Sequence, residues 1–178
     1  MKNSTIIQVV LLGTIAILSI IALQAYWIGK TWNVKEQEFH EKVNIALRNV
    51  TAEYKKIGTL PAYNLIDKVA SNYYVVNVNQ TINTHDLELF LRKHLEAVGL
   101  EENFQYAVYD CSANTMVGCA LVNYDADKET ARIAETVELP THHEYTYYFG
   151  VRFPERNNHI LESMAPMMIP AGILFVTI

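Results

Sequence analysis

From Ile6 to Ile28 the chain carries no charged residue, and this run limits the possible folds more than any other feature. Only Gln8, Gly13, Thr14, Ser19 and Gln24 interrupt its apolar character. At about 1.5 Å per residue, such a helix crosses the roughly 30 Å hydrocarbon core of a bilayer. Tyr26 and Trp27 stand at its far end, where amphipathic rings favour the headgroup zone, and Lys30 follows. A cleaved signal peptide is the competing reading. Its apolar region would be about 7–15 residues long with a small-residue cleavage site behind it, and neither fits here. An uncleaved membrane anchor is therefore expected. Lys2 and the amino terminus oppose Lys30 and Lys35 across the run, so charge asymmetry leaves its orientation open.

No Gly, Pro or Ser linker follows. The stretch "AYWIGKTWNVKEQEFHEKVNIALRNV" passes directly into an amphipathic pattern in which Phe39, Val43, Ala46, Val50 and Tyr54 recur at helical spacing. A helix that leaves lipid for water without a hinge can transmit displacement or rotation, whereas a flexible linker would dissipate it. The apolar stripe suits either packing on the helix's own domain or a coiled coil with a second copy, giving a homodimer.

The other end, "MAPMMIPAGILFVTI" from Met164 to Ile178, is also uncharged. The expectation is the start of a second transmembrane helix, with Pro166 and Pro170 in early turns where a missing amide donor costs least. A buried core helix is the alternative. The segments expected are a short start at 1–5, transmembrane helix 1 at 6–28, a folded domain at 29–163, and a truncated transmembrane helix 2 at 164–178. Composition agrees with greasy ends and a polar middle: 178 residues, 51% hydrophobic, with a formal net charge of -5. That balance, without a clustered basic face, argues against a nucleic-acid partner.

In the middle segment a break at Gly58–Pro61 precedes "LPAYNLIDKVAS", expected to form a short helix, and "NYYVVNVN", expected to form a strand. Thr84 reads as the N-cap of a helix over "HDLELFLRKHLEAV", with Leu87, Phe90, Leu91, His94, Leu95 and Val98 on one side and Gly99 as its stop. Phe104–Asp110 and Thr115–Val122 predict a hairpin. In "YTYYFGVRF" the alternation puts Tyr145, Tyr147, Phe149, Val151 and Phe153 on a core face and Tyr148 and Arg152 on the other. The fold class expected is α+β: helices before a PAS-like, mainly antiparallel sheet.

Few residues suggest chemistry. Cys111 and Cys119 flank Thr115 symmetrically, so a hairpin centred there would bring them opposite each other and permit a disulfide. His142, His143 and Glu144 are the only dense run of metal-ligand types, but adjacent residues of an extended segment point opposite ways, and no metal site is expected. Asp125–Glu129 begins like a calcium loop, yet Thr130 and Thr136 stand where Gly and a closing Glu are needed. Tyr109, Tyr148 and Arg152 are the candidate ligand-binding residues, or else they simply cover the sheet. No nucleophile elbow, P-loop or glycine-rich dinucleotide turn occurs, so neither an enzyme activity nor a cofactor is expected within these residues.

The blocks "YWIGKTWNVKEQEFHEKVNIALRNV", "NYYVVNVNQTINTHDLELFLRKHL", "FQYAVYDCSANTMV" and "YYFGVRFPERNNHILESM" together resemble the amino-terminal sensor region of bacterial two-component sensor histidine kinases. That resemblance implies a cytoplasmic start, an extracytoplasmic domain and a return through the inner (cytoplasmic) membrane. It also implies a kinase whose response regulator is reached only through a core absent from this chain. None of His40, His85, His94, His142, His143 and His159 stands in a phosphoacceptor setting of the kind H-E-[FL]-[KR]-x-P, so no catalytic residue carries over. Other classes that fit the residues are a membrane-anchored extracytoplasmic binding or scaffold protein and a chemoreceptor input domain.

Overall fold

The structure, a computed structural model, describes residues 3–58, 65–110, 114–124, 132–133, 139–141, 145–158, 160–162 and 164. Its first element is a single helix, α1, running from Asn3 to Ile57 over 55 residues. No proline interrupts that range, and its two glycines, Gly13 and Gly29, cost only about 1 kcal/mol each against alanine. Lys55 and Lys56 lie in the last turn, where cations suit the helix dipole. The Tyr54 carbonyl accepts from the Gly58 amide at 3.0 Å and also from Gln80 Nε2 at 3.2 Å.

Two compact units divide the chain, Met1–Glu38 with Ile160–Ile178, and Phe39–His159. In the first, α1 is long and apolar enough to cross a membrane. Its aliphatic side chains face outward, Ile7 being 66% exposed and Leu12 67%. The hydroxyls of Thr14 and Ser19 donate back to the carbonyls of Val10 and Ile15 at 2.9 and 2.8 Å, so neither needs water. Tyr26 and Trp27 meet edge to face, and Lys30 Nζ lies 5.4 Å from the Trp27 ring centre. Met164 is helical and buried. The rest of the expected second span, 165–178, lies outside the described residues.

The second unit holds a six-stranded, wholly antiparallel sheet. In chain order its strands are β1 (Ile66–Ala70), β2 (Tyr73–Asn77), β3 (Phe104–Asp110), β4 (Thr115–Val122), β5 (Arg132–Ile133) and β6 (Tyr148–Arg152). Across the sheet the order is β1-β2-β6-β3-β4-β5, so the last strand enters between two hairpins. Tyr73 and Gln105 flank Arg152, and Val75 and Ala107 flank Gly150.

One face of this sheet carries the main core. Phe39, Val43, Ala46, Leu47, Val50 and Tyr54 of α1 pack there with Tyr74, Val76, Phe104, Tyr106, Phe149, Val151 and Phe153. The apolar stripe of α1 is therefore covered by the helix's own domain. Helix α2 (Thr84–Ala97) adds Leu87, Leu91 and Leu95. Glu88 of α2 is buried and accepts from Tyr106 Oη at 2.9 Å, with Arg92 Nε at 3.3 Å on its other oxygen. Glu53 ties the two helices together by accepting from Lys93 at 3.1 Å. Hydrogen bonds from Lys56 and Lys93 hold the Glu53 carboxyl well below its usual range, at about 2.

Three expectations are corrected here. Ile66–Ala70 forms a strand rather than part of a helix. A two-residue turn at 71–72 folds it back onto β2, and the cross-strand pairs Ile66↔Val76 and Asp67↔Val75 outweigh local helical preference. The cap of α2 is Asn83, one residue earlier than Thr84. Asn83 has extended backbone, φ -84 and ψ 122, and its Oδ1 accepts from the His85 amide. Tyr145 packs on the opposite side from Phe149, because 145–147 precede β6 and do not continue its alternation.

Candidate functional site

β2 and β6 are buried on both faces, and the second face is where the candidate residues lie. Along β6, positions 148, 150 and 152 share one side of the pleat, as do 73, 75 and 77 along β2. This face gathers Tyr73, Val75, Ala107, Leu139 and Tyr148, with Tyr109, Met116, Cys119 and Tyr145 around them.

The structure brings Tyr109 and Tyr148 together. Their rings stack with centroids 4.7 Å apart and planes 13° from parallel. Tyr148 is 0% exposed, while Tyr109 is half-buried and donates its hydroxyl to Asn114 Oδ1 at 2.6 Å. Arg152 shares the face but stands four residues along β6, roughly 13 Å from Tyr148 at ~3.3 Å per residue. Its neighbours are Tyr73 and Gln105 rather than the stacked pair.

Sequence reasoning missed the other two tyrosines. Tyr73 donates to the Pro140 carbonyl at 2.9 Å, and Tyr145 donates to the Asp67 carboxylate of β1. Burial pushes the Tyr73 phenol well up, with Tyr148 adding to the effect and Arg152 opposing it. The signal was present in "NYYVVNVN", where Tyr73 and Val75 alternate with Tyr74 and Val76, so that both sides of β2 are apolar. Such a strand is covered on both faces.

Gly150 makes this packing possible. A Cβ there would lie 2.6 Å from Tyr73 Oη, 2.9 Å from its Cε2 and 3.1 Å from Met116 Cε. Gly150→Ala is expected to displace the Tyr73 ring and loosen its bond to Pro140, costing about 1–3 kcal/mol by overpacking. Denaturant midpoints of variant and parent chain would measure it; an unchanged midpoint would show that the ring moves freely.

The cysteine expectation meets a different turn. Thr115 is the first residue of β4 and pairs with Asp110, with Tyr109 opposite Met116, so the hairpin is not centred on Thr115. Cys119 carries a free, half-buried thiol whose ionisation burial disfavours. Cys111 lies outside the described residues, as do His142, His143, Glu144 and the acidic loop 125–129. Among the described residues no three His, Cys, Asp or Glu side chains gather as metal ligands.

Chemically this face offers stacked rings, phenolic donors and a guanidinium four residues along the same strand. Those groups suit recognition and packing rather than bond making. No protein-family model, curated protein or solved structure matches the chain.

Proposed function

We propose that these residues are the input half of a membrane-bound two-component sensor histidine kinase, with a PAS-like extracytoplasmic domain that acts as a homodimer. The observation that carries this reading is α1. One uninterrupted helix exposes an apolar surface at its beginning and buries a stripe from Phe39 to Tyr54 in a folded α+β domain further on. A two-sided sheet whose last strand lies between two hairpins, with helices on one face, supports the PAS-like comparison in outline.

In this reading Tyr26, Trp27 and Lys30 mark the outer headgroup zone of the inner membrane, and a stimulus outside biases two arrangements of the domain. A stimulus shifts such an equilibrium only by its differential affinity for the two states, and a near-complete switch needs about 5.5 kcal/mol. Tyr109, Tyr148 and Arg152 are the residues proposed to face that stimulus. The kinase core would belong to a longer polypeptide, and the response regulator would be reached only through that core.

The gene beyond codon 178 tests this directly. A second span followed by an H-E-[FL]-[KR]-x-P helix and an ATP-binding domain is the expected result. Long cytoplasmic heptads would replace it with a chemoreceptor, and a stop codon with an anchored binding protein.

A further inference from the structure

The face that holds Tyr109 and Tyr148 is shaped as a trough. Val75, Gly150 and Ala107 pair directly across β2, β6 and β3, so small residues form one row of the sheet. Two residues along, roughly 7 Å away at ~3.3 Å per residue, the next row on this face is Tyr73, Arg152 and Gln105. On the other side stands Tyr148 with the Tyr109 ring stacked on it. The floor is low and apolar, one wall is aromatic, and the other carries polar groups.

A segment of the chain already sits in this trough. Leu139 is buried with Tyr73, Val75, Ala107 and Tyr148, and among the described residues the other buried members of this core all come from strands. The next residue, Pro140, is exposed, and its carbonyl accepts from the Tyr73 hydroxyl at 2.9 Å. A branched aliphatic side chain followed by a carbonyl oxygen thus fills the trough from within. The polar wall is left over. Arg152 is half-buried, and among the described residues its guanidinium meets no carboxylate and donates no hydrogen bond. Opposite it on β3, Gln105 Oε1 is shielded from water and accepts from nothing. Cβ atoms of such cross-strand partners lie about 4.5–5.5 Å apart, so one small molecule reaches both. A shielded acceptor without a donor is costly, and a guanidinium fork is made for an anion. A carboxylate with an N–H beside it satisfies the two together.

We propose that this trough binds an α-carboxylate with a branched aliphatic side chain, either a free leucine-like amino acid or the carboxyl end of a peptide, and that Leu139 is its built-in competitor. The ligand's methyl groups take the Leu139 seat over Val75 and Ala107. Its carboxylate lies on Arg152 and accepts from Tyr73 in place of Pro140, and its α-nitrogen donates to Gln105. The spacing of the two rows is one that a single such residue covers from methyl groups to carboxylate. Signalling by this ligand rests on the sensor reading above; its binding does not.

Isothermal titration calorimetry on the full chain in lipid nanodiscs tests the site with L-leucine, alanyl-leucine, leucinamide and L-alanine. Leucine or alanyl-leucine is expected to bind, the tighter of the two marking a free amino acid or a peptide end as the ligand. Leucinamide, which lacks the anion, and alanine, which lacks the branch, should each bind at least about tenfold more weakly. Arg152→Gln should erase the difference between leucine and leucinamide. Leu139→Ser, which vacates the seat, should tighten leucine binding by about tenfold, because an occupied seat lowers apparent affinity by the fraction of molecules in which it is open. If Leu139→Ser does not fold, amide hydrogen exchange of residues 139–141 in the parent chain reads the same displacement and should speed up when leucine saturates it. Leucine binding by a chain whose gene ends after codon 178 would uphold the site and remove only the kinase. Failure of both leucine and alanyl-leucine to bind, equal affinity for leucinamide or alanine, or unchanged leucine affinity in folded Leu139→Ser would each overturn the proposal.

Discussion

Phe153→Ala is expected to destabilise the folded unit by about 3–5 kcal/mol, the usual range for removing a buried phenylalanine. Phe153 is fully buried just beyond β6, where three rings converge on it: Phe39 at 5.3 Å and 88°, Tyr74 at 6.2 Å and 82°, and Phe104 at 6.5 Å and 48°. These partners come from α1, β2 and β3, so truncation opens a cavity shared by three elements. The backbone there is pinned as well: the Phe153 amide donates to the Asn72 carbonyl at 2.9 Å and its own carbonyl accepts from Asn72 Nδ2 at 3.3 Å. The surroundings can collapse only partly. Against a typical total of about 5–15 kcal/mol, the loss is a large share of all stability. Denaturant unfolding followed by circular dichroism measures it. Ile45→Ala, on an exposed position of α1, is the control and should change stability by less than about 0.5 kcal/mol.

The second large effect concerns α1 as a conductor. Two glycines inserted between Val34 and Lys35 turn everything after them by about 200° and add roughly 1 kcal/mol of helix cost per residue. Membrane insertion depends on residues before the insertion and should be unaffected. In the kinase-bearing polypeptide proposed above, Phe153→Ala should alter autophosphorylation when α1 is intact and leave it unaltered when the glycines are present. This comparison requires no knowledge of the stimulus. Equal responses with and without the insertion would remove α1 from the route. Insertion of two alanines separates the causes, since it keeps helical stiffness while changing phase: if output survives alanines but not glycines, continuity rather than angle is what matters.

Much of the architecture is legible locally. β3 and β4 begin and end where their alternating apolar residues do, and the α2 stripe of Leu87, Leu91 and Leu95 is the one its spacing demands. Gly99, with φ at +69, ends that helix as a left-handed residue. Failures arise where a distant partner decides. Ile66–Ala70 reads locally as helix and becomes a strand because β2 accepts it. The β3–β4 hairpin is not centred on Thr115, as the symmetry of the cysteines suggests, since Asn114 adopts φ 53 and Thr115 is already in β4, paired with Asp110.

The candidate site was legible in part for the same reason. Tyr148 and Arg152 follow from alternation along one strand, and Tyr109 from its neighbour. Tyr73 and Tyr145 belong beside them only through a strand order that pairs residues 73 and 152, which no local pattern encodes. Glu102 was invisible altogether. A single glutamate in a loop reads as solvated until the fold buries it to 8% exposure.

The place of β6 has a consequence for how the chain reaches this state. As synthesis proceeds, β1–β2 and β3–β4 can each form early from neighbouring residues, but β2 and β3 keep the edges that β6 will fill, with unmet amides and carbonyls. The strand that joins them is made last, and its pairs with β2, from Tyr73↔Arg152 to Asn77↔Tyr148, are distant in the chain. Such distant closure is slow and leaves sticky half-sheets waiting. A ribosome stalled shortly before codon 148 would leave two ribbons without the strand that pairs with both.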